Sequence, residues 1–173
     1  MGLKVARNPD LSDDLTFAFS IYEPVGSMSV TYNGPRPIRF MNEIVPLMKK
    51  PLGAGSAGFW DVFLGYDGTD GSFKRYCQAY RNLDQNTRLN LWVQINGSQD
   101  LKSSNGKVTI TFKPWIDVKF KYYNFLQKAL VNMYFYIYYN QIVKKHLSWS
   151  KRMADNFKQG LLEMGAIEGP KQE

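Results

Sequence analysis

Cysteine and histidine are almost missing from this sequence, which has one of each in 173 residues. Cys77 has no second cysteine with which to form a disulfide within the chain, and Cys77 and His146 together cannot complete the ligand set of a structural zinc site. The sequence therefore predicts no metal and no other cofactor. A single thiol is also typical of a reducing setting, so we expect a cytoplasmic protein.

Long apolar stretches are missing as well. No run approaches the roughly 18 to 20 apolar residues that a membrane-spanning helix needs, and the N-terminal MGLKVARNPDLSDD lacks the apolar core of a signal peptide. A chain of this length can bury about two thirds of its unfolded surface. We therefore expect a soluble protein that folds as one domain over residues 1–173.

Acidic residues are scarce in the last part of the chain. Residues 1–100 contain 10 Lys and Arg against 10 Asp and Glu, whereas residues 101–173 contain 12 against 5. The net charge of +7 therefore comes from the second segment. A basic surface attracts nucleic acids, anionic lipids or acidic ligands without distinguishing among them, and a solvated helix surface produces the same pattern.

Alternating aromatic and β-branched residues between turn-forming segments predict antiparallel β-structure before residue 123. Strands are expected at Leu15–Tyr22, Ser27–Tyr32, Phe59–Tyr66, Ser72–Tyr80, Arg88–Asn96 and Lys107–Phe112, and Pro114–Phe120 continues the last strand or begins another. Between the second and third strands, Pro37–Lys50 spaces its apolar residues three and four apart. This spacing predicts a helix that Pro46 bends or splits.

The aromatic run NMYFYIYYNQ, at Asn132–Gln141, fits both a strand and a helix. The helix is favoured because apolar residues recur at three and four over a longer stretch and because neither Gly nor Pro occurs between Tyr123 and Gly160. We expect Met133, Tyr136 and Ile137 to face the sheet. A second helical stretch, with Trp149, Met153, Phe157, Leu161 and Met164 on one face, is expected after a bend near His146–Ser148, because one straight helix would be longer than the domain.

This order of elements resembles the helix-grip architecture of the START and pollen-allergen-like superfamily. The one local similarity is DGTDGSFKR at Asp67–Arg75, which resembles the glycine-rich loop between the second and third strands of that superfamily. The resemblance implies an α+β fold in which a curved antiparallel sheet wraps around a long C-terminal helix. It also implies an apolar cavity between the sheet and that helix.

Aromatic residues make up 15% of the chain and are the candidates to line such a cavity. The predicted ligand-binding residues are Tyr76, Tyr80, Trp92, Phe112 and Trp115 on the sheet, with Met133, Tyr136 and Ile137 on the helix. The same rings would equally suit a dry core, because aromatic side chains dominate cores as readily as pockets.

Other motifs favour structural roles. Gly53–Gly58 matches G-x-G-x-x-G, but it follows a helix and precedes a strand, which is the reverse of the order that a dinucleotide site requires, so a loop or lid is expected. Cys77 is expected to be a small core residue. Asp61 and Asp117 each follow a Trp in an apolar strand, in FWDVF and PWIDV. Either carboxylate could point inward, where its pKa would be raised, or outward into solvent.

These observations favour a binding protein over an enzyme. The first hypothesis is binding or carriage of a small hydrophobic or amphipathic ligand, lipid-like or aromatic, between the sheet and the C-terminal helix. The alternative is a protein-protein interaction module or homo-oligomer that uses the aromatic, basic C-terminal helices. Nucleic acid is the least favoured partner, because Ser72–Arg81, SFKRYCQAYR, comes nearest to interleaving rings with cations on a strand and is one segment only.

Overall fold

The computed structural model describes residues 13–53 and 58–166 and shows an antiparallel sheet with helices on one face. The strands are β1 (Asp13–Ser20), β2 (Met28–Pro35), β3 (Phe59–Tyr66), β4 (Ser72–Asn82), β5 (Thr87–Gln99) and β6 (Asn105–Tyr122). They lie in the order β1-β6-β5-β4-β3, and β2 also pairs with β6. This arrangement, followed by a long C-terminal helix, confirms the predicted α+β class and antiparallel meander.

The two segments expected at Lys107–Phe112 and Pro114–Phe120 form one strand, β6. Along one edge β6 pairs with β5, and along the other it pairs with two strands in turn. β2 covers Asn105 to Phe112, and β1 covers Trp115 to Tyr122. Pro114, which has no N–H to donate, falls in the gap between these two partners, and this position explains why a proline is tolerated inside a long strand.

The predicted first helix begins with a 3-10 turn at Pro37–Arg39 and continues as α1 (Phe40–Leu52). Pro46 and Pro51 both lie inside α1, which continues through them as one helix, so the expected split at Pro46 is absent. α1 buries Phe40, Met41, Ile44, Met48 and Leu52 against the sheet. Gly53 closes it in the left-handed conformation, with φ of 58°, where glycine has no steric penalty.

The C-terminal helix is continuous and comprises α2 (Phe125–Tyr134), a π-helical turn at Phe135–Tyr139 and α3 (Asn140–Ala166). It begins where the side chain of Asn124 accepts a hydrogen bond from the Gln127 backbone N–H. The second helical stretch expected after His146–Ser148 is not a separate helix, because α3 runs through these residues without a break. α1 packs alongside α3, and Gly160 allows this approach, since a Cβ there would lie 2.5 Å from the Leu47 side chain.

The core fills the layer between the inward sheet face and the helices. The C-terminal helix contributes a stripe of buried residues, namely Phe135, Tyr139, Val143, Ala154, Phe157 and Leu161. Phe135 stacks on Phe17 at 3.9 Å, and Phe157 meets Phe112 edge-on at 5.2 Å. The expectation that Met133, Tyr136 and Ile137 face the sheet is therefore wrong, because all three are exposed. Tyr136 keeps one edge-on ring contact with Phe17 of β1, with centroids 6.4 Å apart.

Candidate binding face of the sheet

Strand alternation gives the sheet two faces of different chemistry. In β4, Phe73, Cys77 and Ala79 are buried beneath the helices, whereas Tyr76 and Tyr80 alternate with them and point to the other side. The cross-strand pairs Tyr76–Gln94 and Gln78–Trp92 extend this second set onto β5. Both α1 and α3 pack on the inward side, so the outward side meets solvent.

Six aromatic residues collect on the outward side and form what we call the aromatic face. They are Trp60, Phe63, Tyr76, Tyr80, Trp92 and Trp115. The ring centroids of Phe63 and Tyr76 lie 5.5 Å apart, and those of Tyr76 and Trp92 lie 6.4 Å apart. Rings on β3, β4 and β5 thus form a continuous row across the strands, and Trp115 continues the face on β6.

Cations surround the aromatic face. The outward positions of the same strands, by their pairing register, contain Lys74, Arg88, Lys107, Lys113, Lys119 and Lys121, all of them exposed. The Arg88 guanidinium lies 4.3 Å from the centroid of the Tyr80 ring, a cation–π contact. Asp14 and Asp117 are the carboxylates at outward register positions of β1 and β6, so positive charge dominates this side of the described sheet.

An open hollow of about 630 Å³ lies at one end of the aromatic face. Its lining includes Trp92, Lys113 and Trp115 from β5 and β6, with Ser20 and Glu23 from the end of β1 and the turn that follows. Within the described part of the chain, the Ser20 hydroxyl is buried and makes no hydrogen bond. The hollow therefore combines two indole rings with an ammonium, a carboxylate and an unused hydroxyl.

The structure separates the eight predicted ligand-binding residues into three groups. Tyr76, Tyr80, Trp92 and Trp115 lie on the aromatic face, away from the helices. Phe112 is fully buried on the inward face, and Met133, Tyr136 and Ile137 are exposed on the C-terminal helix. These residues do not share one cavity.

The layer between the sheet and the C-terminal helix is filled with side chains. The hollow found there, between Leu89, Leu91 and Pro114 on the sheet and Met153 and Ala154 on α3, measures about 10 Å³. A volume of that size is comparable to a single water molecule. The outward face therefore offers more space for a ligand than the predicted cavity between the sheet and the C-terminal helix.

A cluster of hydrogen-bonded polar side chains connects the β4–β5 turn to the C-terminal helix. The Asp84 carboxylate accepts hydrogen bonds from the Tyr139 hydroxyl at 2.7 Å and from the backbone N–H of Thr87 at 2.8 Å, and it contacts His146 Nε2 at 2.8 Å. Burial raises the pKa of Asp84, but these bonds outweigh it and hold the pKa below its ordinary value. Burial also raises the pKa of Tyr139, to about 12, so the phenol stays a proton donor. His146 thus belongs to a polar cluster with a structural role.

The other candidates for chemistry take structural positions. Asp61 points to the inward face and binds the buried Arg75 through both oxygens, at 2.7 and 2.8 Å, and Arg75 also donates to the Met41 carbonyl. Asp117 points outward and accepts from the Asn90 amide at 2.9 Å. Cys77 is buried, as expected, and burial raises the pKa of its thiol to about 12.

Residues 54–57 of the G-x-G-x-x-G match lie outside the described residues, so the predicted loop or lid lies there too. Across residues 13–53 and 58–166, no group of three His, Cys, Asp or Glu side chains is placed to hold a metal ion.

Sequence reasoning missed Trp60, Phe63, Arg88 and Lys113 as members of a site. Their grouping depends on which strands are neighbours, and no single segment contains it. The signal was nevertheless present, since in β4 and β5 the rings and cations alternate in period two with the apolar residues of the core.

Comparison with protein-family models and with curated proteins finds no match. Among solved structures, the chain is similar to an uncharacterized protein from Rhizobium leguminosarum, with 8% identity and a TM-score of 0.25 over 88% of this chain and 99% of that one. The relationship to the helix-grip superfamily stays a prediction.

Proposed function

We propose that the protein binds single-stranded nucleic acid on the aromatic face of its sheet. The observation that carries this proposal is the row of outward rings on β3 to β6 with cations interleaved among them. Bases stack on aromatic side chains whatever their sequence, while Lys and Arg follow the phosphates. The row resembles, in its chemistry, the sheet surfaces on which single-stranded RNA is bound.

The dimensions of the face suit a short single strand. Neighbouring strands of a sheet lie about 4.8 Å apart, so four strands span roughly 14 Å, which accommodates two or three stacked bases. Outward amides of Gln78, Gln94 and Asn96 offer donors and acceptors to base edges. An open, extended face fits a polymer better than it encloses a small apolar molecule.

Removal of one stacking ring is the sharpest test. Phe63→Ala should weaken binding of a fluorescent oligothymidylate by about 1–3 kcal/mol, since each stacked base contributes that much. The matched control is Tyr66→Ala, because Tyr66 lies on the same strand with similar exposure, 53% against 47%, but pairs with inward-facing Phe73. Fluorescence anisotropy measures both affinities, and equal losses would contradict the proposal.

Salt dependence tests the role of the cations. Log affinity falls as log salt concentration rises, and Lys113→Gln should make this negative slope shallower by about 0.7, the value for one phosphate contact on a single strand. Titrations at about 50 mM and about 200 mM salt give this slope. Lys102→Gln, which changes an exposed lysine in the turn between β5 and β6, serves as the control. An unchanged slope for Lys113→Gln would contradict the assignment of this lysine to phosphate.

A second candidate, binding of a small amphipathic aromatic ligand, is favoured by the hollow beside Trp92 and Trp115. Its volume of about 630 Å³ falls in the range of small-molecule sites. Competition experiments distinguish the two candidate functions, because different molecules should displace a dye bound in the hollow. A naphthalene sulfonate dye that saturates the hollow and is not displaced by oligonucleotide would favour the small ligand, whereas displacement by oligonucleotide but not by a mononucleotide favours the polymer.

A further inference from the structure

An exposed apolar surface lies on α2 and the π turn, on the other side of the molecule from the aromatic face. We call it the α2 patch, and it consists of Phe125, Leu126, Leu130, Met133, Tyr134, Tyr136, Ile137 and Tyr138, all exposed. Phe125 and Leu126 keep 84% and 69% of their surface accessible. Contiguous exposed apolar residues on this scale mark an interaction or membrane surface.

The α2 patch is built by a second apolar stripe of the same helix. Leu126, Leu130, Met133 and Ile137 follow one another at four, three and four residues, the spacing of a single helix face. The buried stripe that starts at Phe135 occupies the opposite side. The helix therefore packs on the sheet with one apolar face and shows another to the outside.

Charge around the α2 patch points to an anionic partner. Between Tyr122 and Ala154 the chain contains five Lys and Arg and no Asp or Glu. Lys144, Lys145, Lys151 and Arg152 are exposed on α3 directly after the patch, and the Lys128 ammonium lies 5.4 Å from the centroid of the Tyr122 ring. A second copy docked here would bring two sets of cations together, which disfavours a homodimer through this surface.

In the described ranges, no helix has both the length and the hydrophobicity to cross a bilayer. An apolar stripe followed by cations instead matches helices that lie in the plane of the interface. Tyrosines at its margin suit the boundary, where the ring is apolar and the hydroxyl is hydrated.

We propose that the α2 patch docks the protein onto membranes that contain anionic lipids. Leu126, Leu130, Met133 and Ile137 insert roughly 5–10 Å, to the level of the acyl boundary. The lysines and arginine of α3 contact the headgroups, because anionic leaflets attract basic residues next to an inserted helix. This surface and partner are independent of the proposed nucleic-acid site.

Vesicle sedimentation tests the proposal. The full chain is mixed with vesicles of phosphatidylcholine alone or with roughly 30% phosphatidylglycerol, the anionic component to which basic residues respond. We expect partition onto the anionic vesicles, weakened about tenfold or more by Leu130→Asn with Ile137→Asn. The matched control is Leu101→Asn, since Leu101 is a turn residue as exposed as Leu130, 54% against 53%.

The contribution of charge is tested separately. Lys144→Gln with Lys145→Gln should reduce partition roughly tenfold to thirtyfold, while Lys102→Gln leaves it unchanged. The proposal is overturned by equal partition onto neutral vesicles or by an equal loss with Leu101→Asn. It is also overturned if the chain binds neither vesicle and forms a dimer that the Leu130 and Ile137 double variant converts to a monomer in light scattering. Circular dichroism confirms that each variant is folded.

Discussion

Asp84 shows how one residue can connect distant parts of the chain. Its two oxygens accept from backbone N–H groups of its own turn and from the Tyr139 hydroxyl, and they contact His146 on α3. The Tyr139 hydroxyl also meets the Thr87 hydroxyl at 2.7 Å. The cluster uses most of the hydrogen bonds that a carboxylate can accept, so few lone pairs remain for a substrate. Its role is therefore to hold the sheet and the helix together.

Loss of this carboxylate should destabilise the fold. Asp84→Asn is expected to lower the free energy of unfolding by about 1.5–3 kcal/mol, since an amide replaces an ionised acceptor and adds donors that face other donors. Asp67→Asn, in the exposed turn between β3 and β4, should change it by no more than about 0.5 kcal/mol. Urea unfolding at neutral pH measures both values. An unchanged free energy of unfolding in Asp84→Asn would show that the cluster does not stabilise the fold.

The pH dependence follows from the lowered pKa of Asp84. A carboxylate whose folded pKa lies below its unfolded value stabilises the fold above the unfolded pKa, near 3.8, and this stability is lost as pH falls through the folded pKa. The difference in unfolding free energy between the native chain and Asp84→Asn should therefore be constant well above that pH and shrink below it. Urea titrations at a series of acidic pH values give this difference. A difference in unfolding free energy that grows on acidification would contradict the prediction.

At the scale of the element, the C-terminal helix has two apolar stripes, and its contacts decide which one is buried. The π turn at Phe135–Tyr139 widens the helix where Phe135 meets Phe17 and where Tyr139 meets Phe120, at 3.9 and 5.0 Å. A π turn shifts the residues after it relative to those before it. Phe135 and Tyr139 consequently join the stripe that continues with Val143 and Phe157.

Neighbouring residues of the π turn should differ sharply in their effect on stability. Phe135→Ala is expected to cost about 3–5 kcal/mol, because it empties a stacked core position. Ile137→Ala, two residues later and exposed, should change stability by no more than about 0.5 kcal/mol. Chemical unfolding of the two variants tests which side of the helix is buried, and a larger loss for Ile137→Ala would reverse the assignment.

The strands could be predicted from the sequence more reliably than the orientation of this helix. Phe59–Tyr66 was expected and observed with the same ends, because alternation and turn residues are local signals. The buried face of the helix could not be chosen, since the stripe through Met133 and Ile137 has spacing as regular as the stripe through Phe135 and Tyr139. The difference comes from ring contacts with Phe17 and Phe120 on the sheet, which the spacing within the helix does not contain.

At the scale of the whole molecule, the two proposed binding surfaces lie on opposite sides of two layers. The aromatic face is the outward side of the sheet, and the α2 patch is the outward side of the helix that covers the other sheet face. Four of its rings, Tyr76, Tyr80, Trp92 and Trp115, were predicted as binding residues, but for a cavity beneath the C-terminal helix. The outward orientation of these rings, and the addition of Trp60 and Phe63, depend on the pairing register, which no single segment contains.

Because the surfaces share no residues, changes in one should leave the other intact. The Leu130→Asn and Ile137→Asn double variant should keep its oligonucleotide affinity within about twofold, as expected for distant, independent sites. Phe63→Ala should likewise keep its partition onto anionic vesicles within about twofold. Anisotropy and sedimentation on the same preparations test this independence, and a loss of both activities in either variant would point to one shared surface or to unfolding.

The position of β6 determines when the sheet can be completed during synthesis. β1 and β2 both take β6 as their partner, and the residues of β1 pair with residues roughly 100 positions later in the chain. When the first strands leave the ribosome, they must wait for Asn105–Tyr122 with their hydrogen-bonding edges unsatisfied. The β3–β4–β5 meander can form in the meantime, since its contacts are local. The nascent chain is therefore most exposed to aggregation in the interval before β6 emerges.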